Sequence, residues 1–373
     1  MSRVTRDFCL RVFAILVLFT LVVERSAHAG ETLRVLVPDD DNLQYMSFWV
    51  ARAGGFFERE GIDVALVVPP GPQQASVFFE RREAEAAVLP APMVLGLIAS
   101  KQPVVVVANL LKNDPIDLVV RKSVLEARQL SPNMPLRDRL LGLKGLRLGV
   151  APHPPTRLRA LFASQGLVAD EIVEIVILHG KSQNAAFAAK EVDALYAHTP
   201  FLERAIVHDD AIVLVDQNRG DVPELANRQI HSFAFQKAIV DTRPELVTRA
   251  VRALGHAEAS IHASHAETVA TLARAFPTRD RRELETIVRL YEPAIPATPD
   301  VRKEDVLGSI VFFPAGMPKP NLEGVAIDAY VAPEFAHVAK SEAPRRAWVI
   351  VAAVAAAVVV FMILALRRQT PAP

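Results

Sequence analysis

Hydroxyls, amides, imidazoles and one guanidinium sit where this chain's strands should end, and their chemistry is that of binding. Thr156 and Thr199 can donate hydroxyl hydrogen bonds, Asn109 and Asn113 offer amides, and His153 and His198 offer imidazoles. Arg157 can clamp a sulfonate or carboxylate through two parallel N–H bonds, and Tyr45 can lay an aromatic face against a ligand. Each has a second reading. Tyr45 also fits as a core aromatic, Asn109 and Asn113 as turn residues that satisfy backbone, and Arg157 as a solvent-facing side chain. A cation at a helix start opposes the dipole, which hints at an anion beside Arg157. Asp39, Asp40 and Asp41 point the other way: they repel an anion and suit a cationic or zwitterionic ligand, or are simply solvated. Asp193 reads as structural. There is no Gly-x-Ser-x-Gly elbow, phosphate-binding loop or dinucleotide fingerprint, so neither a catalytic residue nor a cofactor is assigned. His262 and His265, with His256 nearby, lack the i, i+4 histidine pair and glutamate of a zinc protease, so no metal is assigned.

These residues share a location only if the elements around them form open parallel sheets. Apolar runs at 33–38, 63–68, 86–89, 104–108, 118–121, 146–150, 172–177, 194–197, 212–215 and 232–236 alternate with helical patterns, which predicts an α/β, mostly parallel fold. In such sheets ligands settle outside the carboxyl ends of strands, beside helix N-termini. That rule collects 39–45, 91–93, 109–113, 153–157 and 198–199 into one cleft. The stretch FWVARAGGFFEREGIDVAL (48–66) reads as helix, tight turn and strand, with Gly61 as a left-handed cap. Residues 244–290 are nearly all helical, with Leu246, Ala250, Ala253 and Leu254 on one face. Having no strands of its own, this segment should pack back onto the first lobe. The expected lobes are 30–120 with 233–340, and 121–232, joined through hinge strands 118–121 and 232–236 that permit closure.

The two ends address the chain to a membrane. Arg3, Arg6 and Arg11 precede the apolar run 12–23, and Ala27 and Ala29 supply a cleavage site, so 1–29 reads as a secretory signal peptide. AWVIVAAVAAAVVVFMILAL (347–366) reads as a transmembrane helix, after a linker at 341–346 and before a cytoplasmic tail at 367–373. The expected protein is anchored in the cell membrane by a single pass, with its main domain extracytoplasmic. Cys9 is the only cysteine and lies within the signal, which removes disulfides and thiolate chemistry from the mature chain. Between the ends stand 34 basic and 40 acidic residues without basic runs, which argues against a nucleic-acid partner.

Taken together, 48–66, LLGLKGLRLGVAPHPPTRLRALFASQGL (140–167), AAKEVDALYAHTPFLERAI (188–206) and GMPKPNLEGVAID (316–328) resemble the solute-binding proteins of ABC importers in the sulfonate, taurine, nitrate and thiamine-precursor group. The resemblance runs over about 32–338. It implies a two-lobed periplasmic-binding-protein fold of type II, a small organic or oxyanionic solute of the sulfonate, nitrate or pyrimidine-precursor type and an ABC permease partner, with the predicted membrane helix as an added tether. It also places a ligand loop at 152–156 and a pocket wall at Pro90, Ala91 and Pro92. Pro72 replaces the second of two glycines usual in the group, and Glu85 replaces a structural aspartate. A solute sensor that signals through a partner membrane protein is the alternative. An enzyme is a weaker one, because the fold also resembles thiamine-pyrimidine synthases and some menaquinone-pathway lyases, yet the synthases' cysteine-rich signature is absent.

Overall fold

The computed structural model of the protein describes residues 30–152, 155–312 and 319–337. The expected signal peptide, linker, transmembrane helix and tail lie outside the described residues, as does His153. Among the described residues, no helix is long and apolar enough to cross a membrane.

The strands are β1 (Glu31–Leu36), β2 (Ile62–Val67), β3 (Ala86–Pro90), β4 (Val104–Lys112), β5 (Asp117–Arg121), β6 (Arg147–Val150), β7 (Glu174–Ile177), β8 (Ala194–Ala197), β9 (Ala211–Val215) and β10 (Gln229–Gln236). They form two five-stranded sheets with matching topology, β2-β1-β3-β10-β4 and β7-β6-β8-β5-β9. In each sheet one strand runs against the rest, β10 in the first and β5 in the second. Each is the strand that follows a crossing from the other sheet. The crossings are 113–116 and 216–228, so 118–121 and 232–236, expected as hinges, lie within single sheets. The chain bends just ahead of them, where the backbone leaves its ladder and side chains must satisfy it.

Acidic side chains anchor both sheets alike. Glu85 accepts the backbone N–H of Arg34 in β1 at 3.1 Å, and Asp193 accepts that of Arg147 in β6 at 2.9 Å. Glu85 therefore does the structural work expected of an aspartate there.

The stretch 48–66 folds as two helices, Met46–Ala53 and Phe56–Arg59, where one was expected. Gly55, at φ +71°, turns the chain between them, and Gly61, at φ +69°, turns it into β2. Both take the left-handed conformation that glycine adopts at no steric cost. Phe48 and Phe57 are fully buried from this segment, with ring centroids 5.9 Å apart, and Phe233 of β10 joins them. Leu246, Ala250, Ala253 and Leu254 of the helix Pro244–Ala263 close that core, as their spacing predicts.

The helix Arg281–Tyr291 does more than pack back on the first sheet. Ile287, Val288 and Tyr291 join the first core, while Leu290 joins the second unit's cluster with Leu202 and Ala205. Glu283 adds an ion pair to Arg204 at 3.5 Å and a hydrogen bond with His208 at 3.0 Å. The last third of the chain thus bears on both sheet units, because this helix presents apolar residues on two sides.

Candidate functional site

The carboxyl ends of β1, β3, β6 and β8 carry 37–45, 91–93, 151–152 with 155–157, and 198–199. Because β10 and β5 run the opposite way, their N-terminal ends arrive at the same edges, bringing His231 and Asp114. His231 pairs across the sheet with Pro90 and is 3% exposed. Its Nε2 lies 2.9 Å from Gln44 Oε1, and its ring meets Tyr45 edge-on at 4.8 Å between centroids. Asn42 holds Gln44 in place by accepting its backbone N–H at 2.9 Å, an Asx turn set by the Asp-Asn-Leu-Gln sequence.

From the second unit, the helix Pro155–Ala163 sends Arg157 to Asp114, with Nη1 donating to Oδ1 at 3.1 Å. The charge of Arg157 reaches His198, His231 and Tyr196, and that of Asp39 reaches Tyr45 and His198. Residues of both units therefore form one electrostatic neighbourhood. Burial, then Arg157 and His198, push His231 down to about 3. Burial, assisted by Arg157, also lowers His198, so both imidazoles are neutral at physiological pH. Burial and then Asp39 raise the Tyr45 phenol, which stays protonated. Burial raises the Asp114 carboxyl, although Arg157 and the Ile116 N–H oppose it.

Tyr45, Arg157 and His198 meet in this neighbourhood, Tyr45 as a buried ring edge-on to His231. Thr156 stands half-buried in the first turn of the same helix as Arg157, while Ala91 is buried beside half-buried Pro90 and Pro92. Three expected binders have structural work instead. Asn109 Oδ1 accepts the backbone N–H of Leu111 at 3.1 Å. Asn113, at φ +68°, donates to the Asn218 carbonyl at 2.8 Å and accepts the Asn227 N–H at 2.7 Å, stitching one crossing to the other. Thr199 is fully buried: its hydroxyl donates to Glu203 Oε1 at 2.7 Å and its N–H to the Tyr291 hydroxyl at 3.1 Å. A short polar side chain at a strand end reads alike whether it faces a ligand or its own backbone, and here the backbone and Glu203 win.

Reasoning from sequence would expect Thr199→Ala to weaken ligand binding at constant stability. The structure reverses this. Removing the hydroxyl takes the nearest donor from a buried carboxyl that keeps the longer Arg279 contact at 3.5 Å, so the variant should lose about 1–3 kcal/mol, measured by urea unfolding of the ligand-free protein. An unchanged midpoint would return Thr199 to the ligand.

Gln44, Asp114, Glu203, His231 and Tyr291 carry much of the site and were not singled out from sequence. Only His231 had a legible signal, an imidazole inside the otherwise strand-forming QIHSFAFQ. Glu203 and Arg279 form a second buried contact at 3.5 Å, and Arg279 continues to Asp41 at 2.6 Å, tying the loop after β1 to the helix Phe201–His208. Asp41 is thereby neutralised and Asp39 is left as the acid of the cleft. Two cavities lie elsewhere. One of about 300 Å³ is lined by Asn109, Lys112, Arg228 and Asp300, and one of about 180 Å³ by Arg34, Glu85 and Gln236. Neither is lined by His231, Arg157 or Tyr45, and convergent polar groups define the candidate site.

Paired sheets, two crossings and a polar cleft between them define a two-lobed binding-protein fold. The alkanesulfonate-binding protein SsuA from Xanthomonas axonopodis pv. citri, bound to MOPS, shares it: TM-score 0.57, 16% identity, 81% of this chain and 98% of that chain covered. The periplasmic nitrate-binding protein NrtA from Synechocystis PCC 6803 does so at TM-score 0.57 and 10% identity, covering 84% of this chain and 89% of that one. The desulfurization enzyme DSZB also shares it, at TM-score 0.56 and 17% identity over 84% of this chain and 99% of its own. No curated protein sequence matches. Residues 41–288 match the NMT1-like family, and the chain belongs to it. The resemblance carried by 48–66, 140–167 and 188–206 to the sulfonate and nitrate solute-binding proteins is borne out.

Proposed function

We propose that this protein is the extracytoplasmic solute-binding component of an ABC importer, closing its lobes on a small solute without chemical change. The observation that carries the reading is the cleft itself: Tyr45 and His231 from one sheet unit face Arg157 and His198 from the other, so a ligand held by all four would draw the units together. The crossings at 113–116 and 216–228, clasped by Asn113, are where lobe motion would be taken up. Family membership supports the same reading, as does the likeness to proteins described as alkanesulfonate- and nitrate-binding. In the finer form of the proposal, 1–29 exports the chain and 347–366 tethers it beside its permease, which raises its effective concentration there.

The test is thermal unfolding of the full chain in detergent against sulfonates, nitrate, amino acids, amines and pyrimidines. A true ligand raises Tm with concentration, gaining about 2.7 kcal/mol at a hundred times its Kd, and is recovered unaltered by mass spectrometry. A ligand that is recovered as a product makes the protein an enzyme on this fold.

A further inference from the structure

Buried hydrogen-bond acceptors are left over at this site. Gln44 Oε1 can only accept, so the His231 proton sits on Nε2, and Nδ1 is left as a buried lone pair with no partner among the described residues. His198 Nδ1 lies against the carbonyl of Thr199, so its proton is there and Nε2 is a second lone pair. Asp114 spends Oδ1 on Arg157 and on the Ile116 N–H, while Oδ2 is buried with no hydrogen-bond partner among the described residues. Asp39 accepts only the Asp41 N–H through Oδ1.

The cations nearby are engaged, Arg157 by Asp114 at 3.1 Å and Arg279 by Asp41 at 2.6 Å. Backbone donors are thinned as well. An anion site at a helix N-terminus works through free N–H groups, yet prolines occupy three helix starts that follow strands at this edge, while Met46–Ala53 after β1 starts without one. Pro90 and Pro92 flank the start of Ala91–Ala99, Pro155 opens Pro155–Ala163 and Pro200 precedes Phe201–His208. One proline in a first turn is ordinary; prolines at all of these starts remove several N–H groups an oxyanion would use.

We infer that the cleft recognises a cationic nitrogen group rich in N–H donors, of the amidinium or guanidinium class, and not a sulfonate or nitrate. Asp39 supplies the opposing charge, His231 Nδ1, His198 Nε2 and Asp114 Oδ2 accept its N–H groups, and Tyr45 provides an aromatic wall. This inference rests on the cleft being a solute site.

The experiment is calorimetric titration of the full chain in detergent with benzamidine, methylguanidine, ethanesulfonate and nitrate, each at neutral pH and constant ionic strength. Benzamidine or methylguanidine should bind saturably and at least tenfold more tightly than either anion. Asp39→Asn keeps the acceptor for the Asp41 N–H and should weaken that binding at least tenfold with an unchanged ligand-free Tm. His231→Phe, which keeps a ring but removes the lone pair, should weaken it as well. Binding of ethanesulfonate or nitrate as tight as that of the cations, or Asp39→Asn binding like the parent, overturns the inference and leaves the solute-binding reading intact. No heat from any of the four overturns both.

Discussion

Arg157→Met is expected to destabilise the ligand-free protein by about 3–5 kcal/mol at neutral pH, the usual cost of stripping the partner from a buried charge. Asp114 has a side chain with 0% exposure, and Arg157 is the cation that meets it. With the guanidinium gone, the carboxylate keeps only the Ile116 N–H at 3.1 Å. The deficit should depend on pH. Burial already raises the folded-state pKa of Asp114 above its unfolded value despite Arg157, and removing Arg157 raises it further. A carboxyl shifted upward contributes stability that is fully present below the unfolded value, about 3.9, and lost as pH rises through the folded one. Urea unfolding at pH 4.5 and 7.5 should therefore show a small deficit at the lower pH and the full one at the higher. Equal deficits would mean that Asp114 is charged in both conditions and solvated by groups other than Arg157.

Glu203→Gln should remove a pH dependence from the parent protein. Burial, reinforced by Glu283, raises the Glu203 carboxyl from 4.5 to about 7, and Thr199 and Arg279 only partly oppose it. Between those values the folded state holds a proton that the unfolded state has released. Stability thus falls as pH rises through the window, by on the order of 3 kcal/mol in all, and flattens above it. Glutamine keeps an oxygen for the Thr199 hydroxyl and cannot ionise, so the variant should be the more stable above pH 7 and lose this slope. The decisive measurement is the difference in unfolding free energy between parent and variant from pH 4 to 8. A difference constant across that range would show that Glu203 titrates as an ordinary glutamate and that Arg279 neutralises it fully. Because Glu203 and Arg279 join the two sheet units through Asp41, the same group would make closure sensitive to pH.

Much of this fold was legible in the chain. All ten predicted strands form within a few residues of their expected limits, because buried parallel strands are short apolar runs that punctuation by glycine, proline and acids brackets cleanly. Asp193 was readable as structural for the same local reason: it closes a strand end that its own sequence marks. The continuous helix expected across 48–60 failed at Gly55, where φ +71° decides the path, since a glycine in a helical pattern signals only tolerance for such a turn and not its use. The site was less legible. Asn113 and Thr199 were chosen by position, but Asn218 and Asn227, which engage the one, and Tyr291, which engages the other, lie far along the chain, and only Glu203, four residues after Thr199, is a local partner.

Local chemistry therefore set what this sequence could determine by itself: the α/β alternation, the strand ends that bound the candidate site, and the motifs that carry its family resemblance. Periodicity and capping are properties of neighbouring residues, and they survive in one dimension. The tertiary structure alone decided which polar groups are spent and which are left over. Arg157 looked like an anion clamp until Asp114, 43 residues away, engaged it. His231 looked like a strand residue until Gln44, 187 residues away, placed its proton on Nε2. Whether a side chain is scaffold or site depends on its donors and acceptors being satisfied, and that sum closes only when the distant partners are in place.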